Sequence, residues 1–537
     1  MPPSYFKFAY KHLLSLAAPA LLLLFTLLAA HPYVRPAIMY DEGFALTNGL
    51  RVLDGDAPFL DFWTTYPPGV SYVLAAAFSI AEPSIEVSRA IHLFWIGLIT
   101  GFSYLLTTSI ASKFIAVAST TIVTAWACLA LTPSYSMTPA IALALASVTG
   151  LAHELQSRSR VAGAAGGVAG GLILFFRHDV SGYLFLSAIG CFALLSIEKR
   201  DSNEASARGA LARYLVFYLV AALAGLAVIL YRSGVEAFVD QALLFPALIQ
   251  RDQRFLPFPE LMPLPNTPTD VGLWLLTWLC PAMLCLTTVF LAIWRHLLPA
   301  NSMVVVVISG TLSSLMLLQA FGRLDLVHVA PSFMWLSVTL CGLSGAALKN
   351  SKSTARVLAT AAMGMLLAWS AMELSKHFHA REVIGCIYGN TCSRTSPDQN
   401  AAVKFVNSNF ATDEPIFVGN TRHDRIHIND ALLYFRLNRP IPTKWNEMHP
   451  GEVTTAQVQS QIVSELKSTG VRVAVLVNIP SGWESNASAK SSGVHTLDAF
   501  LRSQFWPVWR QGRYTVLIRR PLKPGLPAVD AHLGLQQ

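Results

Sequence analysis

Long, nearly uncharged apolar runs recur through the first 374 residues and are separated by short polar stretches. A transmembrane helix needs about 20 mostly apolar residues, because the hydrocarbon core of a bilayer is about 30 Å thick. The pattern predicts about eleven spans, at residues 13–30, 89–108, 114–131, 137–152, 162–176, 180–197, 214–231, 271–294, 302–321, 327–347 and 356–374. The expected fold class is therefore a polytopic α-helical membrane protein, with its membrane domain over residues 1–374.

The apolar run at residues 70–81, VSYVLAAAFSIA, has only 12 residues and is too short to cross the bilayer. Whether it crosses decides the side of every later loop. Cytoplasmic loops are enriched in lysine and arginine. If 70–81 is an interfacial helix within an outer loop 31–88, every lysine before residue 375 falls in an inner segment. This arrangement predicts a cytoplasmic N-terminus and an extracytoplasmic C-terminus.

Beyond residue 374 the pattern changes to short elements that alternate in type. An apolar stripe at helical spacing predicts a helix, and a short β-branched run predicts a strand. The predicted elements are helices at 398–410, 455–469 and 497–502, strands at 414–419 and 472–478, and a hairpin of 506–510 with 513–519. Such alternation is typical of a small α/β domain, expected outside the membrane over residues 375–537.

Composition agrees with a membrane protein, since 53% of the residues are apolar and only 13% are charged. The net charge of +8 indicates no nucleic-acid partner, because basic residues collect in cytoplasmic loops for topological reasons. Cys386 and Cys392, in CIYGNTC, could close a disulfide in an oxidising compartment or remain free thiols. The spacing of cysteine and histidine predicts no metal site.

The polar stretch after the first apolar run, YDEGFALTNGLRVLDGDAPFLDFWTTYPPG, carries the strongest candidate chemistry. Asp41 and Glu42 are adjacent carboxylates that could act as a base, bind a metal or simply be solvated. Three further charged segments fall on the same predicted side of the membrane, at 177–179, 247–270 and 323–325. Ionisable residues are costly at the membrane and indicate function by default.

This layout resembles the GT-C superfamily of polyprenyl-phosphate-sugar glycosyltransferases. The resemblance is carried by an Asp-Glu pair after the first span, the helix NGLRVLDGD, an aromatic segment and the pair Pro67-Pro68 before a short interfacial helix. Within the superfamily, the similarity is to the bacterial branch related to protein O-mannosyltransferases and lipid A aminoarabinose transferases. It covers roughly residues 1–375.

The resemblance implies a catalytic Asp41, the family-matched position for a general base, together with Glu42. The family usually has a basic residue where this chain has Tyr66 before Pro67, and a lysine segment where it has Arg177 to Asp179. Phosphate contacts made elsewhere by those lysines would then fall to arginines of the outer loops. The predicted substrate-binding residues are Asp61, Tyr66, Arg177, Asp179, Arg251, Arg254 and Arg323.

The expected function is a membrane glycosyltransferase that moves a sugar from a polyprenyl-phosphate donor to a lipid, glycan or protein acceptor, with inversion. No cofactor is implied with certainty, and the use of a divalent cation is left open. The expected location is a bacterial inner membrane, in contact with membrane lipids. Two alternatives are a transporter or flippase of a lipid-linked sugar and a non-catalytic scaffold of the cell envelope. Transporters usually have inverted repeats and mid-membrane charges, which this chain does not show.

Overall fold

A computed structural model of the 537-residue chain describes most of its sequence. The described residues are 37–197, 202–256, 271, 274, 278, 281, 282, 298–349, 361, 363–372, 395–480, 484 and 486–520. The predicted first span at 13–30 and the predicted disulfide partners Cys386 and Cys392 lie outside these residues. The predicted runs 271–294 and 356–374 are described only in part.

The membrane domain is a bundle of long apolar helices. Its described helices are α1 Asp41–Leu53, α2 Gly69–Phe78, α3 Ile85–Ile110, α4 Lys113–Ala130, α5 Met137–Ser157, α6 Arg160–Leu172, α7 His178–Ile197, α8 Ser202–Ser233, α9 Val235–Phe238, α10 Arg251–Arg254, α11 Ala300–Ala320, α12 Leu326–Lys349 and α13 Met363–Met372. A π-helical segment, Val239–Gln250, joins α9 to α10, and a 3-10 turn, Ile173–Phe175, follows α6.

Seven of the described helices are long and apolar enough to cross a membrane, namely α3, α4, α5, α7, α8, α11 and α12. The protein is therefore an integral membrane protein, as the apolar runs predict. Helix α2 has only 10 residues, so the expectation that 70–81 forms a short, non-spanning helix is confirmed. Among the described segments, α6 with its 3-10 turn is also shorter than a regular span. The predicted total of eleven spans therefore stays a prediction.

Close approach of α6 to its neighbours depends on glycines spaced four residues apart. A Cβ atom at Gly167 would lie 2.4 Å from the backbone oxygen of Tyr214, and one at Gly171 would lie 2.4 Å from that of Tyr218. Small residues let membrane helices pack backbone to backbone. The glycine spacing thus brings α8 against α6.

The C-terminal domain, at residues 395–520, is a four-stranded sheet with helices on both faces. Its elements are α14 Pro397–Asn409, β1 Ile416–Asn420, α15 Ala431–Leu437, α16 Ala456–Ser468, β2 Val473–Val477, α17 Thr496–Gln504, β3 Phe505–Gln511 and β4 Tyr514–Arg519. The strand order is β1-β2-β4-β3, with β1 and β2 parallel and the other pairs antiparallel. The predicted α/β domain and its hairpin are confirmed, whereas α15 was not predicted.

The C-terminal domain packs directly on α1, the first described helix of the membrane domain. The backbone N–H of Leu432 donates to the Met39 oxygen at 3.0 Å, and Thr47 Oγ1 donates to the Ala431 oxygen at 2.9 Å. A Cβ atom at Gly43 would lie 2.3 Å from the Leu432 nitrogen, so only glycine permits this approach. Helix α1 is therefore enclosed between the two domains.

We expect Gly171→Val to destabilise the bundle, because its side chain would collide with the backbone of α8. Overpacking of this kind typically costs about 1–3 kcal/mol. Thermal unfolding of the detergent-solubilised protein measures the loss. The control is Gly182→Val in α7, where an added Cβ meets nothing within 4 Å. Equal melting temperatures for the two variants would contradict the proposed packing role.

Candidate functional site

A cavity of about 710 Å³ lies where the C-terminal domain meets one end of the helical bundle. Its walls come from the start of α1, the connections α4–α5, α6–α7 and α11–α12, the π-helical segment with α10, and loops of the C-terminal domain. Seven of the residues predicted from the sequence line it: Asp41, Tyr66, Arg177, Asp179, Arg251, Arg254 and Arg323. The structure thus brings together charged segments that are far apart in the sequence.

Asp41 occupies the first turn of α1 and lines the cavity. No described residue forms a hydrogen bond with its carboxylate, which leaves the oxygens available to a ligand. Burial raises the pKa of Asp41, Arg254 opposes this shift, and Glu447 adds to it. A carboxylate with a raised pKa and free lone pairs has the properties required of a general base.

Arg177 is neutralised by its neighbour Asp179. Its Nε and Nη2 atoms donate to the two carboxylate oxygens at 2.9 and 2.5 Å, and its guanidinium lies 5.5 Å from the ring centre of Tyr66. Nη1 donates to the hydroxyl of Tyr135 at 3.3 Å. Asp179 also accepts from the side-chain amide of Gln319. Arg177 and Asp179 therefore form a fixed ion pair in the cavity wall.

Arg323 is likewise paired, but across the domain interface. Its Nε donates to Asp325 Oδ2 at 2.8 Å, and its Nη1 and Nη2 donate to the two oxygens of Glu484 at 2.8 and 2.5 Å. Glu484 belongs to the C-terminal domain. Arg323 thus ties that domain to the α11–α12 connection beside the cavity.

Arg251 and Arg254 differ from the other two arginines, because neither forms an ion pair with a described residue. The Nε atom of Arg254 is buried and has no hydrogen-bond partner in the described part of the chain. Both residues line the cavity from α10. A guanidinium without an acidic partner is suited to bind phosphate oxygens in a bidentate manner.

Two predicted site residues lie elsewhere than expected. Glu42 is fully buried and accepts from Arg89 Nε at 2.8 Å, from Arg89 Nη2 at 3.0 Å and from the Ile38 backbone at 3.0 Å. Asp61 is exposed and accepts from the Ala57 backbone at 2.7 Å. Neither side chain lines the cavity. Adjacent residues of a helix point about 100° apart, so Asp41 can face the cavity while Glu42 faces the bundle.

Several residues that were not predicted as site residues also line the cavity. Tyr40 precedes Asp41, whereas His427 and His449 come from loops of the C-terminal domain, and His328 follows the α11–α12 corner. Burial lowers the pKa of His427 to about 4, with Arg254 acting in the same direction. No local pattern marks these residues, because tertiary packing alone brings them to the cavity.

A second cluster lies in the C-terminal domain, outside the cavity. In the residues that the structure describes, Asp424, His495 and Asp498 place potential metal-ligand atoms within 4.8 Å of one another. The carboxylates already have protein donors, since Asp424 accepts from Arg422 Nε at 2.9 Å and Asp498 pairs with His423 Nδ1 at 2.7 Å. These contacts account for the cluster as structural ion pairing.

Comparison with solved structures identifies the fold. The structure of ArnT from Cupriavidus metallidurans bound to undecaprenyl phosphate matches 94% of this chain and 97% of its own, with 16% identity and a TM-score of 0.57. The apo ArnT structure matches 93% and 97%, with 15% identity and a TM-score of 0.56. No protein-family model and no curated protein sequence matches the chain. The chain therefore shares the fold of the ArnT structures, in agreement with the resemblance carried by its sequence.

We expect Glu42→Gln to destabilise the folded protein strongly, because it removes the buried carboxylate that pairs with the Arg89 guanidinium. Breaking a buried ion pair from one side typically costs about 3–5 kcal/mol. Thermal or urea unfolding in detergent at pH 7 measures the change. The exposed Asp61→Asn is the control and should be nearly neutral. A Glu42→Gln protein as stable as this control would argue against the structural role.

We expect Asp41→Asn to keep or raise the stability of the folded protein at neutral pH. Because burial raises the pKa of Asp41 in the folded state, its ionised form weakens the fold at neutral pH. The wild type gains stability as pH falls and Asp41 becomes protonated, and it loses that gain as pH rises through the folded-state pKa. Melting curves between pH 4 and 8 should show Asp41→Asn at least as stable as wild type at pH 7. A less stable Asp41→Asn protein at neutral pH would contradict this sign.

Proposed function

We propose that this protein is a membrane glycosyltransferase that transfers a sugar from a polyprenyl-phosphate donor to a lipid, glycan or protein acceptor. The observation that carries the proposal is the cavity, which is lined by the Asp41 carboxylate, without a hydrogen-bond partner among the described residues, and by Arg251 and Arg254, without an acidic partner among them. The shared fold with ArnT, whose structure holds undecaprenyl phosphate, agrees with a lipid-phosphate ligand.

The reaction follows from these groups. Asp41 accepts the proton of an acceptor hydroxyl as its oxygen attacks the anomeric carbon of the donor sugar. The bond between that carbon and the phosphate oxygen breaks, and polyprenyl phosphate leaves with the electron pair. Arg251 and Arg254 stabilise the charge that develops on the leaving phosphate. A single displacement of this kind inverts the anomeric configuration.

Arg251 and Arg254 are the proposed ligands of the donor phosphate, because the other two cavity arginines are already paired with carboxylates. Arg177 and Arg323 are each compensated by carboxylates, so a phosphate there would have to compete with Asp179, Asp325 or Glu484. Arg254 has a buried Nε without a partner among the described residues. Of the charged groups that lower the pKa of Asp41, Arg254 has the largest effect. Arg177 and Tyr66 would then line the sugar end of the cavity.

The membrane orientation belongs to the same proposal. The cavity lies at the bundle end that carries the C-terminal domain. Lys113 and Arg160 begin α4 and α6, and Arg158 follows the end of α5. The positive-inside rule places these helix ends in the cytoplasm. The cavity and the C-terminal domain would then face the outside of a bacterial inner membrane, with the N-terminus inside.

We expect Asp41→Asn to lower sugar transfer by about 10²–10⁴-fold, the usual contribution of a general base. The assay uses purified protein in nanodiscs, a panel of radiolabelled polyprenyl-phosphate sugars and an envelope extract as acceptor. Donor binding by Asp41→Asn should be retained. Asp61→Asn, in the same outer segment but outside the cavity, is the matched control and should transfer normally.

Arg254→Gln and Arg251→Gln should each slow transfer, by up to about 10²–10³-fold for loss of one stabilising donor. The exposed Arg232→Gln, at the end of α8, is the matched control. If both cavity variants transfer as the control does, phosphate is bound elsewhere. If wild type binds or translocates lipid-linked sugar without transferring it, the transporter alternative replaces the enzyme. A protein that does neither would support the scaffold alternative.

A further inference from the structure

We propose that Glu447 and His449 of the C-terminal domain are positioning residues that act on Asp41 through Tyr40. The inference rests on the proposed role of Asp41 in sugar transfer. It assigns the C-terminal domain a part in the chemical step itself, in addition to any contact with the acceptor.

A continuous chain of contacts leads from the C-terminal domain to α1. The Tyr40 hydroxyl lies 2.8 Å from Nε2 and 3.3 Å from Nδ1 of His449, and Nε2 lies 2.7 Å from Glu447 Oε1. When Nε2 donates its proton to Glu447, Nδ1 remains to accept from the tyrosine. The Tyr40 backbone oxygen accepts from the Phe44 N–H at 2.7 Å, so the position of Tyr40 fixes the first turn of α1, which carries Asp41.

The three side chains are shielded from water. Glu447 is 0% exposed, His449 2% and Tyr40 6%. The rings of Trp63 and Phe245 pack on His449 with centroid distances of 5.0 and 5.7 Å. Charges in such surroundings interact over longer distances than in water, because the effective dielectric constant is low.

Glu447 has one oxygen that no contact uses. Its Oε2 atom is buried and has no hydrogen-bond partner among the described residues, although Oε1 is held by His449. An incompletely paired buried carboxylate costs stability. The link from Glu447 through His449 to Tyr40, the residue before the proposed base, gives this cost a functional explanation.

The charges that face Asp41 come from several elements. Burial raises the pKa of Asp41; Arg254 lowers it, Glu447 raises it, and His328 and Arg323 lower it. Arg254, His328 and Arg323 thus act against the base, and Glu447 opposes them. A general base works best when its pKa approaches the working pH. Without Glu447, the arginines that suit the leaving phosphate would make Asp41 a poorer base.

The first test uses activity. In Glu447→Gln, the acidic limb of the pH profile of kcat/KM should move to lower pH, and kcat on the plateau should fall because the base is weaker. Tyr40→Phe keeps the ring and removes the hydroxyl, so kcat should fall by about 2- to 10-fold, the range of one hydrogen bond, with little change in KM. Asp413→Asn, an exposed carboxylate of the same domain, is the control and should change neither quantity. An unmoved limb in Glu447→Gln, or an unchanged kcat in Tyr40→Phe, would overturn the proposal.

The second test does not require transfer activity and so separates this inference from the proposed function. The melting temperatures of wild type and Asp41→Asn are compared across pH 4 to 8, and their difference reports the ionisation of Asp41. In the Glu447→Gln background, the pH midpoint at which this difference changes should be lower than in the background with native Glu447. If wild type lacks transferase activity but this midpoint moves, the proposed function fails while the coupling of Glu447 to Asp41 stands. An identical midpoint in both backgrounds refutes the coupling.

Discussion

The buried ion pair between Glu42 and Arg89 is the contact on which the cavity depends. Glu42 belongs to α1 and Arg89 to α3, and both charges lie out of contact with water. Two buried charges are favourable only when each satisfies the other, so the pair permits essentially one relative placement of the helices. With Glu42 fixed towards the bundle, the adjacent Asp41 is directed into the cavity.

Two of the cavity arginines are paired with carboxylates, and the other two have no acidic partner among the described residues. This difference makes one part of the cavity wall more positive than the rest. Arg177 and Arg323 stiffen the wall, because Arg177 is held by Asp179 and Arg323 is held by Asp325 and, across the domain boundary, by Glu484. Arg251 and Arg254 lie on a short helix at the end of an unusual π-helical segment that contains Pro246. The positive potential available to a ligand therefore comes from one element, opposite the helix that carries the carboxylate.

The sequence predicted the parts of this protein that depend on local periodicity. Apolar runs identified the described long helices, and alternating elements identified the C-terminal sheet and its hairpin at Gly512. Asp41 and the arginines could be selected from the sequence because charges near membrane spans are costly and conspicuous, and the structure brings them to one cavity. Glu42 and Asp61 do not line that cavity, because a sequence does not show which way neighbouring side chains face. Tyr40, Glu447 and His449 were missed for a related reason: Glu447 and His449 look like ordinary loop residues until folding brings them to Asp41.

The contact between α1 and the C-terminal domain also determines when the cavity wall can form during synthesis of the chain. Thr47 and Ala431 are 384 residues apart in the chain, yet they share a hydrogen bond beside Gly43, where the two backbones touch. During synthesis the membrane helices emerge long before their covering domain. The wall formed by His427 and His449 is then still missing, and the cavity stays open on one side. Closure of the cavity therefore has to wait for the C-terminal domain.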